Sequence, residues 1–272
     1  MSESPEHYKA EMSFLEHLEA LRWHLMRAAI AVGVFTIAAF INKSFVFDSV
    51  ILAPKNVDFW TYGFLCDVSK AVFLEGALCI SEIPFTLINI DMSGQFSTHI
   101  LVSIISGIVV AFPYIVWELW RFIMPALLPA EKKYSVGVIF SISFLFLTGI
   151  LFGYYFVAPL SVNFLGSYQV SVAVANQISL LSYISTISTI TLASGLVFEL
   201  PVLVYILTKI GLLTPLFMRT YRKHSIIVIL ILSAIITPPD ISSQILVSIP
   251  ILFLYEISIY ISAVTLKKQL KK

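Results

Sequence analysis

Charge is scarce in this chain: of 272 residues only 12% are Asp, Glu, Lys or Arg, roughly half the share of a soluble domain. Cysteine is scarcer still, with Cys66 and Cys79 alone. They form no C-x-x-C pair and the five histidines show no ligand spacing, so zinc and haem have no support and no cofactor is expected. No Ser/His or paired-Asp constellation supports an intramembrane hydrolase, and an enzyme is not expected. Repeats and low-complexity tracts are absent. No nucleic-acid partner is expected; the net charge of +1 says little by itself, and the distribution of the basic residues says more.

Apolar residues fill the space that charge leaves. They make up 58% of the chain, the mean hydropathy is +0.93, and several runs reach the roughly 20 residues that cross a bilayer core. The fold class is therefore an all-α integral membrane protein, read as one multispanning membrane domain over residues 1–272. Residues 1–22 are polar and acidic, unlike a cleaved signal peptide. Within them Ser13-Phe14-Leu15-Glu16 forms a capping box. Phe14, Leu15, Leu18, Leu21 and Leu25 then share one face of a helix expected to lie on the membrane surface.

Six spans follow: about Trp23–Ile41, Thr98–Trp117, Tyr134–Val157, Ile178–Leu207, Ser225–Thr237 and Ile241–Leu266. Residues 42–97 form a long outer loop with an amphipathic piece near Asp67–Leu78, and Pro159–Gln177 a second loop without Lys or Arg. The fifth span has 13 residues, covering about 20 Å of a core about 30 Å thick. Thr214-Pro215 reads as a helix cap followed by proline at the first helical position. Counting alternate loops, fourteen of the seventeen basic residues fall on one side and Lys43, Lys55 and Lys70 on the other. The positive-inside rule makes the richer side cytoplasmic, with both termini there and residues 267–272 a basic tail.

Glu199 is the sharpest anomaly, since an acid within a span costs about 2.5–3.5 kcal/mol on insertion scales. Two readings stand: a structural hydrogen bond to another helix, or a water-accessible polar site inside the bilayer. Ser188, Thr191 and Ser194 precede it, Gln244 is a further polar candidate, and Pro201 frees the Val197 carbonyl to kink the helix. At the other end of the span pattern lies Trp117–Lys133, a turn between two apolar runs. There Glu131 reads either as helix-start chemistry after Pro129 or as a binding carboxylate. Phe122 reads as interfacial packing or as part of the same surface. Glu118 and Arg121 read as a local i, i+3 pair, and Glu256 reads either as snorkelling to the interface or as a partner for a base such as Arg27. Arg27 itself is expected to snorkel. Cys66 and Cys79 share one outer loop, as a disulfide or as two unrelated thiols.

Several segments together resemble the TatC family, the receptor subunit of the twin-arginine protein translocase. They are Phe14-Leu15-Glu16-His17-Leu18-Glu19-Ala20-Leu21-Arg22, Phe122-Ile123-Met124-Pro125-Ala126-Leu127 with Glu131-Lys132-Lys133, Phe198-Glu199-Leu200-Pro201-Val202, and Thr237-Pro238-Pro239-Asp240 with Ile249-Pro250 and Tyr255-Glu256-Ile257. The resemblance implies a concave, cup-like arrangement of helices in a bacterial inner membrane. It implies binding of Arg-Arg signal peptides of folded cargo at the cytoplasmic face, through Phe122 and Glu131 with Leu21, Arg22 and Glu19. It also implies single-span TatA and/or TatB partners, self-association, export driven by the proton gradient, and a functional acid at Glu199. Thr237 and Gln244 are expected to dock a partner helix. The loop from about Asn56 to Ile83 is longer than the resemblance leads one to expect. A proton-coupled small-solute transporter is the rival class; it calls for an inverted repeat that six dissimilar spans do not show.

Overall fold

The computed structural model describes residues 14–71, 79–80, 83–124, 135–171, 174–237 and 241–270. Glu131, with the whole turn from Pro125 to Tyr134, lies outside them, as do Ser13 and Pro238-Pro239-Asp240.

Ten α-helices and a two-stranded sheet make up the described chain. Helix α1 runs unbroken over Phe14–Ile41. The expected surface helix and first span are one rod, because no Pro or Gly pair interrupts the apolar pattern between them. A π-helical segment, Phe45–Ile51, and a short 3₁₀ turn, Ala53–Lys55, lead to α2, Trp60–Ala71. The amphipathic helix of the outer loop thus begins seven residues earlier than expected; the remainder of the expected piece, 72–78, lies outside the described residues. Strand β1, Thr86–Ile88, precedes α3, Gly94–Ile123.

The third span comprises α4, Ser135–Phe152, a π-helical turn, Gly153–Val157, and α5, Ala158–Ser167. Pro159 was expected to open a loop. It falls in the first turn of α5, inside a continuous helical stretch. The Tyr155 carbonyl one turn back, which Pro159 cannot serve, accepts from the Thr61 hydroxyl instead, and the helix runs on. Strand β2, Gln177–Ser179, pairs in parallel with β1, Thr86 opposite Gln177. It leads to α6, Leu180–Val197, whose cap Ser179 accepts from the Ser182 N–H.

The fourth span breaks at Phe198–Glu199 and resumes as α7, Leu200–Lys209, with Pro201 in its first turn. As expected, Thr214 caps α8, Pro215–Thr220, accepting from the Phe217 N–H at 3.2 Å. Helix α9, Arg222–Ile236, has 15 residues, and α10, Ile241–Leu270, has 30. Five helical stretches among the described residues are long and apolar enough to cross a membrane. The shorter α9 follows the fourth of these and precedes the fifth.

The core is centred on α6, where Ile184, Ile187 and Ile190 join Val102 of α3, Val157, Ile229 of α9, and Val247 and Ile251 of α10. Two close crossings depend on glycine. A Cβ on Gly107 would stand 2.8 Å from the Thr36 nitrogen of α1, and one on Gly149 2.8 Å from the Gly195 Cα of α6. Small residues at such points let helices approach where no hydrophobic drive exists between apolar surfaces in lipid. Buried hydroxyls join the rest: Thr208 donates to Ser262 at 2.8 Å between α7 and α10. Three tyrosines tie the loops to the helices, Tyr154 to the Val50 carbonyl, Tyr183 to Ile51 and Tyr62 to Pro54. The lipid-ready surface is broad, with Ile30, Ile37 and Ile41 of α1 and Phe140 and Phe144 of α4 all exposed.

Candidate functional site

Where α1 begins its crossing with α3, polar groups gather around one carboxylate. Glu118 is only 1% exposed. His24 Nδ1 donates to its Oε2 at 2.5 Å and the Tyr114 hydroxyl to its Oε1 at 3.0 Å. Arg27 stands 3.5 Å from Oε2 and Arg121 3.6 Å from Oε1. Both guanidinium groups stay half exposed, and that of Arg121 lies 4.9 Å over the Trp117 ring.

Glu118 is thus the hub of a knot between two helices rather than one member of a local pair. The sequence held a signal for it. Tyr114, Glu118 and Arg121 recur at spacings of four and three, one face of α3, and His24 and Arg27 do the same on α1. Nothing in the sequence says that residues 94 apart meet. Arg27, expected to snorkel or to meet Glu256, is drawn here instead. Glu256 pairs with Arg222 at 2.7 Å, both half exposed.

Of the expected binding residues, Phe122 adjoins the knot directly. Phe122 sits edge-on to the His24 ring, centroids 6.2 Å apart. Leu21, half buried, is one turn before His24 on the same face of α1, while Glu19 and Arg22 are exposed beside it. Phe122 and Leu21 therefore flank the knot, while Glu19 and Arg22 fall about 140° and 160° round α1 from His24. Glu131, the remaining member of the expected set, lies outside the described residues.

A second site lies at the break in the fourth span. Glu199 is half buried at the cap position of α7, yet its side chain makes no capping bond. Among the described residues its Oε1 is a buried atom without a hydrogen-bond partner, as are the hydroxyls of Thr191, Ser194 and Ser143. Thr191 also lines a cavity of about 670 Å³ between α1, α3, α4 and α6, together with Asn42, Ser106, Ser188 and Tyr154. Buried polar atoms lacking protein partners are uncommon and mark places suited to water or to a ligand.

Gln244, the third polar position, turns to α9: its Nε2 donates to the Leu230 carbonyl at 3.1 Å. Thr237 is buried, its hydroxyl donating to the Ser233 carbonyl at 2.8 Å. Cys66 and Cys79 are joined in a disulfide, Cα atoms 4.3 Å apart.

A family model, Sec-independent protein translocase protein (TatC), matches residues 16–250. The chain belongs to the TatC family. The TatC protein of Blattabacterium sp. subsp. Periplaneta americana (strain BPLAN) is 38% identical over 262 residues, covering 96% of this chain and 98% of that one. TatCy of Bacillus subtilis (strain 168) is 32% identical over 261 residues, covering 96% and 92%. Two crystal structures of the twin-arginine translocase receptor TatC are similar in fold. One, at 31% identity, covers 92% of this chain and 99% of its own with a TM-score of 0.63. The other, in DDM, is 32% identical, covers 90% and 98%, and has a TM-score of 0.68. TatC membership makes this protein a translocase component, a transport subunit rather than an enzyme, and a multi-pass protein of the inner membrane.

Proposed function

We propose that this TatC protein is the receptor subunit that binds Arg-Arg signal peptides of folded cargo and gathers single-span Tat partners for export. The observation that carries the reading is the closed knot at Glu118. Its carboxylate already faces His24, Tyr114 and two arginines, so it braces the rim that carries Leu21 and Phe122 without offering itself to a ligand. An incoming guanidinium pair then meets the exposed Glu19 and the carboxylate of Glu131, with Phe122 and Leu21 supplying apolar surface. Guanidinium offers a planar fork that a carboxylate accepts in bidentate fashion, which an ammonium does not reproduce. An exposed pair is worth about 0–1 kcal/mol, and burial of the signal's hydrophobic segment adds roughly 25 cal/mol per Å².

In this reading the chain acts as one unit of six spans, α9 being the short fifth, with both termini cytoplasmic and a concave face. Glu199 is the functional acid on a hydrated path through Thr191 and Ser194, supported by its Oε1 and their two hydroxyls, buried atoms that lack partners among the described residues. TatA or TatB helices dock at the α9–α10 hairpin. There Gln244 retains a second amide N–H and its carbonyl beyond the bond to Leu230, and Thr237 is the neighbouring polar position. Self-association completes the receptor, and the proton gradient drives transport.

The test is a pull-down of the full chain with an Arg-Arg peptide and its Lys-Lys counterpart, repeated with Phe122→Ala and Glu131→Ala. Selective capture of the Arg-Arg peptide, lost in both variants, is expected. Equal capture of the two peptides overturns the reading.

A further inference from the structure

Helix α2 divides its circumference three ways. Thr61, Tyr62, Leu65 and Ser69 are buried against the protein. Trp60, Phe64 and Val68 are exposed at 56%, 41% and 38%. With Ala71 they span an arc of about 80° at 100° per residue. Gly63, Asp67 and Lys70 are also exposed, and they occupy the remaining arc. A helix on the surface of a soluble domain has two faces, one dry and one wet. A third face, large, apolar and uncovered, calls for a third environment.

The apolar arc does not end at α2. Trp60 stacks on Phe64 with centroids 5.1 Å apart, and both rings meet Phe156 edge-on at 6.0 Å. Phe156 stacks in turn on Phe152 at 5.6 Å. Both lie within the membrane-spanning stretch Val136–Ser167, whose exposed side carries Phe140, Phe144, Leu147 and Leu151. The exposed side of α2 is therefore continuous with surface that hydrocarbon already covers. Beneath it, Trp60, Leu151, Phe152, Phe156 and Phe198 line a cavity of about 690 Å³. That volume suits a small molecule or one lipid chain rather than a whole helix.

We propose that α2 is an interfacial helix. It lies in the headgroup boundary of the leaflet opposite the Glu118 knot, its Trp60–Phe64–Val68 arc in lipid and Asp67 and Lys70 in water, with a phospholipid chain in the cavity below. Tryptophan favours this depth, where its ring is apolar and its N–H is wet, and amphipathic helices bury an apolar face about 5–10 Å into it. The Cys66–Cys79 bridge starts on this helix, so the extended outer loop is fastened to the membrane as well as to the protein.

The test uses the disulfide-bridged full chain in phosphatidylethanolamine–phosphatidylglycerol vesicles, with nitroxides at F64C, V68C, G63C, D67C and K70C. Collisions with dissolved oxygen dominate at positions 64 and 68, and collisions with a water-soluble nickel chelate at 63, 67 and 70. High nickel access at all five positions overturns the proposal by placing α2 in water. Exclusion of both reagents at 64 and 68 overturns it in favour of a protein cover. A second measurement avoids labels on α2. With Trp23, Trp117 and Trp120 replaced by Phe, lipids brominated high on their chains quench most of the Trp60 emission, and undiminished emission likewise overturns the proposal.

Discussion

Glu118 and Glu199 are both acids on membrane-spanning helices, and they are treated in opposite ways. Four groups converge on Glu118, each oxygen facing an arginine and a hydrogen-bond donor. At Glu199 one oxygen has no protein partner among the described residues, and the nearest irregularity is a helix break instead of a counter-ion. A carboxylate surrounded in this way holds two helices together and is closed to ligands. One left incomplete adds little to the fold and remains available for chemistry. The difference separates an acid fully engaged in packing from one with an unpartnered oxygen, which is what the role proposed for Glu199 requires.

That contrast breaks most readily at Glu118. Glu118→Ala removes two hydrogen bonds to a charged group at once, each worth about 1.5–3 kcal/mol, while the arginines it leaves are half exposed and hydrated. The expected result is a large fall in thermal stability of the purified protein, followed by its intrinsic fluorescence. His24→Ala should cost less, about 1.5–3 kcal/mol for a hydrogen bond to a charged group, read in the same melt. Glu199→Gln should shift the melt by no more than about 1 kcal/mol in either direction, while export of an Arg-Arg cargo is lost. A stability loss at Glu199 as large as that at Glu118 would erase the distinction. At the small end, Arg222→Ala removes only the half-exposed pair with Glu256, worth about 0–1 kcal/mol, and the melt should barely move.

Much of the fold was legible in the sequence because hydrocarbon runs and caps are local signals. The Thr214-Pro215 start of α8 and the brevity of α9 follow from residues within one turn of each other. The misreadings came where proline or an amphipathic face suggested an ending that tertiary packing did not require. Pro159 fits the first turn of α5 instead of stopping the helix. The apolar face of Phe14, Leu15, Leu18, Leu21 and Leu25, which reads as a surface helix, belongs to the same rod as the span, since no breaker separates them. The Glu199 site was half legible. The acid and Pro201 marked it, but that its Oε1 finds no protein partner among the described residues is set by packing that no spacing announces. His24 was missed for the same reason, its partner being far away along the chain.

The rod α1 carries one further implication. Within the membrane its main neighbour is α3, and only 6% of its most apolar stretch is buried. The pair is gripped at Gly107 by close approach and at Glu118 by charge, two points far enough apart to resist twisting. Held at these two points, α1 is coupled to α3 as one stiff beam, and from Leu18 to Ile41 most of its surface is left for hydrocarbon to cover.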